Sequence, residues 1–531
     1  MKSTLHAAIA ASALMVVISA PDPASAQKRG GTLRTYNPES VASTSMLEEF
    51  ANAQRPLMGL FNNLVMFDQH VAQDSLQSIV PDLAASWAWN EEGTELTFQL
   101  RQGVKWHDGR PFTAQDVKCT WDLLMDQAPE KLRINPRKSA AFNLAAVTAD
   151  SDREVTFHLK RPQPAFLMML ADGFAVTYPC HVAPRDMRQH AIGTGPFKLQ
   201  EFRPREFIKV IRNPDYWKAE RPYLDGIEWT VVSDPATAVL GFIAGKFDTT
   251  FAYTLTVPKT DNIESQAPQA ICEFTPRGGV NRHLLVNRDK PPFDNPDLRR
   301  AMALSIDRQA FIDIISQGRG QIGGVLQPPP EGPWGMPLEM VKQLPGYDPD
   351  VQQNRALARQ IMEKLGYGPH HRLNVKVTSQ DWDVYRDPAV LLIDQLKHVY
   401  IDGELELVET AQYYPKILRK DYAVALNLQT SGPDPDPILK LFYGCGSSLN
   451  WSGYCNPEID QLIEQQSREG NAERRKPLLW EIERRLAADD ARPIIFYPKG
   501  GSCRQPYVKG QTLMVNSVFN GWRMEDVWLD K

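Results

Sequence analysis

The sequence predicts a mixed α/β (α+β) fold, because segments with the two-residue period of strands alternate with segments of helical spacing. The segment Leu96 to Leu100 alternates apolar and polar residues, as a strand with one buried face does. Turn residues follow, and then Thr113 stands as a helix N-cap candidate with Asp116 at the electropositive helix start. The order strand, helix, strand over 373–408 predicts a βαβ unit with parallel strands.

The N-terminus is predicted to be a signal peptide, 1–26, and not part of the fold. Met1-Lys2 is a short basic start, 7–20 is an apolar run too short to span a bilayer, and Ala24-Ser25-Ala26 is a small-residue cleavage pattern. No cysteine lies near the cut and no later run has the length of a transmembrane helix. We therefore expect an exported protein without a lipid anchor.

Size and charge limit the class of protein. The residues that follow the signal peptide exceed the roughly 100–200 residues of one domain several times, so two or three domains are expected. The net charge is −5, with both signs mixed along the chain. This distribution offers no polybasic surface, so we predict binding to neither nucleic acid nor anionic lipid.

The first half of the chain is predicted to carry mostly strands. A polar, hydroxyl-rich loop at 37–45 follows the first of them. The predicted strands are 31–36, one that ends near Phe67, 155–159, 174–177, 207–212 and 227–232. The predicted helices are 46–65, a helix that starts at Thr113, and 234–242. The helix at 46–65 is expected to lead into the strand that ends near Phe67.

From about residue 281 the pattern changes to alternating helices and strands. Pro388 is assigned to the first turn of its helix, where proline is favoured. The predicted helices are 297–315, 355–365, 388–399, 456–466 and 472–487, and the predicted strands are 373–378, 405–408, 424–428 and an extended exit at 493–497.

Motifs of known enzymes and metal sites are not found. The sequence has no Gly-x-Ser-x-Gly, His-Glu-x-x-His or Walker pattern, so we predict no enzyme. His107-Asp108 is interpreted as part of a turn, and 193–195 as a tight turn, because no Gly-Lys-Ser/Thr follows. Cys445 and Cys455 lack a histidine pair, and Cys180-His181 has no second half, so no metal and no cofactor are predicted.

Three blocks of sequence resemble the large peptide-type solute-binding proteins of ABC importers, extracellular solute-binding protein family 5. The first is Leu96 to Trp121, preceded by Pro81-Asp82-Leu83-Ala84 and Ser86-Trp87. The other two occur in the family's order and spacing. They are Gly193-Thr194-Gly195-Pro196-Phe197 with Arg212-Asn213-Pro214-Asp215-Tyr216-Trp217 and Gly245-Lys246-Phe247-Asp248, and Asn287 with Pro291-Pro292-Phe293-Asp294, Leu298-Arg299-Arg300-Ala301 and Ser305-Ile306-Asp307-Arg308.

The resemblance implies a two-lobed periplasmic-binding-protein clamp (type II, large peptide-binding type) with an extra third domain. Such a protein closes over a peptide or similar small solute and presents it to ABC permease subunits at the inner membrane. We therefore expect a periplasmic monomer that performs no covalent chemistry. The implied division is 27–60, 186–280 and 498–531 for domain I, 61–185 for domain II, and 281–497 for domain III, the second lobe.

Two alternatives to an importer component stay open. One is a ligand receptor that feeds a signalling partner, which a neighbouring gene for a membrane sensor would favour over a neighbouring permease pair. The other is a periplasmic hydrolase on the same scaffold, which recovery of chemically unchanged ligands would exclude.

The expected ligand site lies in loops at the carboxyl ends of strands, where α/β lobes form their binding crevice. Three loops qualify: 37–45, with its hydroxyl groups; 379–386, with its aromatic residues and an arginine; and 430–436. Trp451, in another polar loop, is predicted to be a cleft aromatic as well. The predicted substrate-binding residues are Ser43, Thr44, Trp382, Tyr385, Arg386, Thr430, Gly432, Asp434, Asp436 and Trp451.

Several of these residues have a structural alternative. Peptide binders of the family often hold the ligand ammonium group with an aspartate four residues before a proline, but that spacing falls on Pro433 here and Asp434 is one residue away. Asp434 and Asp436 are therefore either ligand contacts or turn residues. Arg386 either pairs with a ligand carboxylate or neutralises Asp387. Trp382 and Trp451 either line the cleft or pack against a neighbouring loop.

The six cysteines of an exported protein are expected to pair, and six allow fifteen pairings. The implied domain division places two cysteines in each domain, and a crosslink between moving lobes would fix one opening angle. The expected disulfides are Cys119–Cys180, Cys272–Cys503 and Cys445–Cys455. Cys119 lies in a predicted helix, and its alternative is a buried free thiol.

Overall fold

A computed structural model gives the fold of the chain over most of its length. It describes residues 27–49, 51–276, 279–430, 432–447, 449–518 and 520–531. The predicted signal peptide lies outside the described residues. Within the described part of the chain, no helix has the length and apolar character needed to cross a membrane.

The fold is α/β, as predicted, and is built on three main sheets. The first is a four-stranded mixed sheet in the order β1-β10-β9-β8, in which β1 and β10 run parallel. Its strands are β1 (Thr32–Asn37), β8 (Phe197–Arg203), β9 (Phe207–Arg212) and β10 (Gly226–Val231).

The second sheet has seven strands and carries the predicted βαβ unit. Its order is β11-β17-β12-β16-β14-β15, with β13 paired to β17, and β14 lies parallel to both β15 and β16. Its strands are β11 (Ile271–Pro276), β12 (Asn281–Val286), β13 (Gly320–Gln321), β14 (Leu373–Gln380), β15 (Ile401–Val408), β16 (Val424–Gln429) and β17 (Ile494–Arg504).

The third sheet is antiparallel, in the order β4-β5-β7-β6, and two short pairs complete the strands. The sheet consists of β4 (Ala84–Trp89), β5 (Glu95–Leu100), β6 (Leu144–Ser151) and β7 (Glu154–Leu159). The short pairs are β2 (Val65–Phe67) with β3 (Ile79–Pro81), and β18 (Val508–Lys509) with β19 (Trp528–Leu529).

Helices cover the sheets and connect their strands. Thirteen α-helices and four 3-10 segments occur in the described ranges. The helices are α1 (Ala114–Leu124), α2 (Phe166–Ala171), α3 (Pro235–Ile243), α4 (Val257–Gln266), α5 (Pro296–Leu304), α6 (Arg308–Ser316), α7 (Leu338–Val341), α8 (Val351–Lys364), α9 (Asp383–Lys397), α10 (Thr410–Leu418), α11 (Asp436–Tyr443), α12 (Pro457–Arg468) and α13 (Ala472–Ala488), and the 3-10 segments are Ala51–Leu60, Leu76–Ser78, Lys138–Ala141 and Asp186–Arg188.

The helix start predicted at Thr113 is confirmed. Thr113 and Asp116 form a reciprocal capping box, and α1 buries Val117, Trp121 and Leu124. Trp121 stacks edge-on against Phe157 of β7, with ring centroids 5.3 Å apart. The local signal and the packing therefore agree at this position.

Four predicted elements are wrong. The helix predicted at 46–65 is a 3-10 helix over Ala51–Leu60 that contains Pro56, which cannot donate to an α-helical ladder. The strand predicted at 174–177 makes only an isolated bridge between Val176 and Asn63.

The other two corrections concern helices in the second half. The helix predicted at 297–315 is divided into α5 and α6, because Asp307 caps a new helix by accepting a bond from the Ala310 amide. The helix predicted to start at Pro388 begins five residues earlier, at Asp383, so the proline lies inside α9. The residues predicted as the aromatic loop 379–386 are consequently the end of β14, a two-residue connection at 381–382 and the first turn of α9.

The glycines of the 193–195 turn allow a close approach of two chain segments. A Cβ on Gly193 would lie 1.8 Å from the Leu60 carbonyl oxygen, so only glycine fits there. The His107 ring bridges the turn, accepting at Nδ1 from the Gly193 amide and donating from Nε2 to the Gly195 carbonyl. Burial lowers the pKa of His107 to about 4, which keeps this ring neutral. Its contacts are those of a structural histidine.

The three disulfides are Cys119–Cys180, Cys272–Cys503 and Cys445–Cys455, as expected. Cys272 and Cys503 are directly opposed residues of β11 and β17. The pairing of Cys119 excludes its free-thiol alternative, since α1 directs this residue toward Cys180.

Asp74 is a buried carboxylate where the loop between β2 and β3 meets the C-terminal segment. Asn520 donates to it at 2.7 Å, and the Asn516 side chain exchanges two bonds with the Asp74 backbone. Burial, helped by the nearby charge of Asp172, raises the pKa of Asp74 to about 7.

This raised pKa predicts a pH dependence of stability. The folded protein keeps a proton on Asp74 that the unfolded chain loses near pH 4, so the free energy of unfolding should fall between about pH 4 and pH 7. We expect Asp74→Asn to flatten this slope and to stabilise the protein at pH 8 by about 1–3 kcal/mol. Urea unfolding at a series of pH values measures both quantities. Asp186→Asn, at a carboxylate that is 63% exposed, is the matched control, and equal slopes for both variants would contradict the prediction.

Candidate functional site

The hydroxyl-rich loop is bonded to the body of the protein. Ser43 donates its backbone amide and its hydroxyl to the buried Glu49 carboxylate, at 2.8 and 2.9 Å. The Thr44 hydroxyl donates to the Met187 carbonyl at 2.7 Å. A ligand contact by Ser43 or Thr44 stays a prediction, and these bonds show that each hydroxyl already has an internal partner.

The predicted aromatic loop is divided between the core and the surface. Tyr385 is 5% exposed and packs with the core of the seven-stranded sheet, 5.5 Å beneath the Arg282 guanidinium. Trp382 precedes α9 and stands 6.1 Å from the Tyr385 ring. Arg386 pairs with Asp387 at 3.0 Å, the contact that its structural alternative describes. Ligand binding by these three residues stays untested.

The aspartates of the third loop are held by buried partners. Arg475 forms a bidentate ion pair with Asp434, with N–O distances of 2.6 and 2.7 Å. The side chains of Arg475 and Asp434 are 5% and 4% exposed. Asp436 accepts from Gln163 at 2.6 Å and from Gln466 at 2.7 Å. These bonds support the turn alternative for both aspartates.

The rest of this loop connects β16 to the two aspartates. Thr430 follows β16 directly, Gly432 is partly buried, and residue 431 lies outside the described residues. The Pro433 carbonyl accepts a bond from the Trp334 indole at 3.2 Å, and the Trp334 ring lies 4.7 Å from the Arg475 guanidinium. The loop is therefore packed against α13 through Arg475.

Trp451 belongs to a cluster of aromatic rings around one arginine. Its ring lies 5.9 Å from that of Tyr414 and 6.4 Å from that of Phe442. The Arg492 guanidinium stacks 4.9 Å from Phe442 and 6.0 Å from Trp451. The indole nitrogen of Trp451 is buried and has no hydrogen-bond partner in the described part of the chain.

Beside this cluster lies a set of polar residues that sequence reasoning missed, here called the polar platform. Its members are all at most 3% exposed and lie at the carboxyl ends of β14 and β16, at the start of the antiparallel β12 and just before β17. They are Asn281, His283, Gln380, Asn427, Gln429 and Arg492.

Strand pairing brings four of these side chains to one face of the sheet. His283 is opposite Asn427, and Asn281 is opposite Gln429, so the four residues occupy alternate positions on two paired strands. A signal existed in the sequence: each strand carries polar residues at positions i and i+2, and β12 also buries Arg282 between them. A purely structural strand at the centre of a sheet seldom buries such a row.

Contacts link this region to the side of the molecule built on the first sheet. Burial is the main cause that raises the pKa of Tyr414 well above its ordinary value, and the charge of Glu39, from the hydroxyl-rich loop, adds to it. Lys259 of α4 forms an ion pair with Asp383 at the start of α9. Tyr414, Trp451 and Arg492 form a continuous series of ring contacts that ends at the polar platform.

The electrostatics of the platform favour negative charge. Burial, and then the charges of Arg492 and Arg282, hold the pKa of His283 well below its ordinary value, so this ring is neutral. Burial also lowers the pKa of Arg492, but a guanidinium keeps its proton at any physiological pH. Among the described residues, no carboxylate forms an ion pair with Arg492.

Comparison with known proteins gives one consistent family. The model of the bacterial extracellular solute-binding proteins, family 5 (middle region), matches residues 78–450, more than half of the chain. The glutathione-binding protein GsiB of Escherichia coli is 30% identical over 463 residues, which cover 80% of this chain and 85% of that protein. Di/tripeptide-binding protein 3 of Pseudomonas aeruginosa is 26% identical over 461 residues, covering 79% of this chain and 80% of that protein.

The fold likewise has solved counterparts. The dipeptide-binding protein of a Pseudoalteromonas species, in complex with Met-Leu, superposes with a TM-score of 0.82 at 20% sequence identity. The superposition covers 94% of this chain and 100% of that chain. At this level of identity the likeness concerns the fold.

Proposed function

The chain belongs to the bacterial extracellular solute-binding proteins, family 5, and from this premise we propose that it captures a peptide or similar small solute between two lobes and delivers it to ABC permease subunits at the inner membrane. The proposal includes the export of the mature chain to the periplasm. Relatives in the family are named as dipeptide-, di/tripeptide- and glutathione-binding proteins, which supports a peptide-like ligand.

The division into domains is part of this proposal. Domain I contains the first sheet, domain II the antiparallel sheet, and domain III all of the seven-stranded sheet except β11 and the end of β17. Each predicted disulfide joins two cysteines within one of these domains. Domains I and III are the two lobes, so no crosslink opposes their relative motion.

The connections between the lobes support a hinge. β17 pairs with β12 in the second lobe through residues 494–496 and with β11 in the first lobe through residues 499–504. One strand therefore runs from lobe to lobe. We propose that small φ and ψ changes between these two paired parts of β17 allow a hinged closure.

The observation that carries the proposal is the polar platform. Six polar side chains are buried together at one edge of the seven-stranded sheet, where β14 and β16 end and the antiparallel β12 and β17 begin. The carboxyl ends of parallel strands are the position where α/β lobes bind ligands. Buried polar atoms without partners are costly to stability, and a protein retains them where a ligand or ordered water completes their bonds. A solute held between the lobes would complete them here.

Closure on ligand is the first expected result. A dipeptide such as Met-Leu, at saturating concentration, is expected to shrink the radius of gyration measured by small-angle X-ray scattering, because the lobes close over it. The Lys259–Asp383 ion pair joins the two proposed lobes, so Lys259→Met is expected to weaken dipeptide binding by about two- to fivefold and to reduce its salt dependence.

A control variant and a second measurement accompany this test. Lys246→Met, at an exposed lysine of domain I, is the control for loss of one surface charge. Native mass spectrometry of the protein purified from its own host identifies a retained ligand and shows whether it is chemically unchanged. An unchanged radius of gyration with a ligand demonstrably bound would count against the clamp.

A further inference from the structure

We propose that the polar platform is an anion subsite, in which Arg492 and its neighbours bind a carboxylate of the solute and take the place of an aspartate that would hold an ammonium group. This inference rests on the proposed function, because it names the chemistry of the ligand in the same cleft. Three observations support it. Buried platform atoms lack hydrogen-bond partners, Arg492 forms no ion pair with a carboxylate among the described residues, and Asp434 is already paired with Arg475.

The unpaired atoms of this region are mostly donors. Five buried donors and two buried acceptors of the platform and the adjoining Trp451 have no partner in the described part of the chain. The donors are Gln380 Nε2, Asn427 Nδ2, Gln429 Nε2, Trp451 Nε1 and Arg492 Nε, and the acceptors are Asn427 Oδ1 and His283 Nε2.

The hydrogen-bond network assigns these roles. Arg492 donates to Gln429 Oε1 at 3.4 Å, which leaves the amide nitrogen of Gln429 as the unpaired end. Asn281 uses its amide nitrogen on the Tyr497 hydroxyl and presents its oxygen to His283 Nδ1 at 3.0 Å. His283 Nδ1 therefore carries the proton of the neutral ring, and Nε2 is the acceptor.

Arg492 supplies the only guanidinium of the platform. It donates to the Leu449 carbonyl at 3.0 Å and stacks on Phe442 and Tyr443. These contacts fix its plane without neutralising its charge. A buried guanidinium without a carboxylate is a site for an anion, because a planar anion accepts two parallel bonds from it.

The two aspartates of the third loop already have buried partners. Arg475 takes both oxygens of Asp434, and Asp436 is bonded to Gln163 and Gln466. A ligand ammonium would have to displace a buried guanidinium from Asp434. A ligand carboxylate at the platform would meet unpaired donors and the positive charge of Arg492.

The test uses acids and their primary amides as matched probes in isothermal titration calorimetry. The pairs are Met-Leu with Met-Leu-amide and gluconate with gluconamide, and N-acetyl-Met-Leu tests the ammonium group. We expect at least one acid to bind about tenfold or more tightly than its amide, because the amide cannot accept two charge-assisted hydrogen bonds from the guanidinium. Loss of the ammonium in N-acetyl-Met-Leu should cost less than loss of the carboxylate.

The variants tie this preference to the platform. Arg492→Gln should reduce the affinity for the acid to that for the amide, while Arg484→Gln, at an arginine that is 57% exposed, should leave both unchanged. Asn427→Leu should weaken acid binding and raise the melting temperature of the ligand-free protein, because it removes two unpaired buried polar atoms. This second variant decides the matter if Arg492→Gln fails to fold.

The outcomes separate the inference from the proposed function. Equal binding of Met-Leu and its amide would overturn the anion subsite and leave a peptide-binding clamp in place. Binding of gluconate alone, dependent on Arg492, would support the subsite and overturn the peptide class. Binding of no acid in either pair would count against both.

Discussion

Arg475→Met is expected to lower the free energy of unfolding by about 3–5 kcal/mol, because it leaves the Asp434 carboxylate buried without its partner. The Asp434 side chain is 4% exposed, so water cannot replace the lost guanidinium. Urea unfolding followed by tryptophan fluorescence measures the change. The same change at Arg474, whose side chain is 71% exposed, should have little effect.

A double variant completes the cycle for this pair. Asp434→Leu combined with Arg475→Met replaces both charges with apolar groups and should recover most of the stability lost in the single variant. Recovery of stability in the double variant would show that Asp434 has a structural role, as a turn residue paired with Arg475. A single variant that unfolds like the Arg474 control would mean that Asp434 is solvated or has another partner, and would reopen its role as a ligand contact.

Removal of the Cys272–Cys503 disulfide is expected to have the second large effect. This bond joins residues 231 positions apart, and the chain-entropy model gives it roughly 5 kcal/mol, compared with roughly 2–3 kcal/mol for Cys445–Cys455, which closes 10 positions. The variants Cys272→Ser/Cys503→Ser and Cys445→Ser/Cys455→Ser therefore serve as each other's controls. The urea midpoint of the Cys272→Ser/Cys503→Ser variant should be the lower of the two.

The position of this disulfide adds a functional expectation. Cys272 and Cys503 are directly opposed on β11 and β17, on the first-lobe side of the proposed hinge. Loss of the bond should therefore destabilise the fold while ligand still shrinks the radius of gyration. A larger loss of stability for the Cys445–Cys455 variant would contradict the entropic argument, and loss of closure would move the hinge into this strand pair.

Elements with short-range signals were predictable from the sequence. The alternation of Leu96 to Leu100 and the capping pair Thr113 and Asp116 specify a strand and a helix start through neighbours within a few residues. The division of 297–315 into two helices was also encoded locally, by the cap at Asp307, but the apolar spacing continues across the break and hides it.

The disulfides were predictable for a different reason. Their pairing followed from the domain division that the family resemblance implies, combined with the argument that a hinge protein avoids crosslinks between its lobes. The helix expected at 46–65 shows the limit of such patterns. Pro56 and the close contact of Leu60 with Gly193 decide that segment, and the second of these joins residues far apart in sequence.

The candidate site depended most on tertiary structure. By itself, the sequence determined the family, the α/β class, most strand and helix positions and the cysteine pairs, because these follow from local periodicity and from motifs. Only the tertiary structure decided which polar groups meet: Arg475 reaches Asp434 across 41 positions, and Arg492 reaches Gln429 across 63. A side chain's partner depends on strand register and helix packing. The hydroxyl-rich loop is therefore internally bonded, while buried polar side chains of β12 and β16 keep atoms without a partner in the described part of the chain.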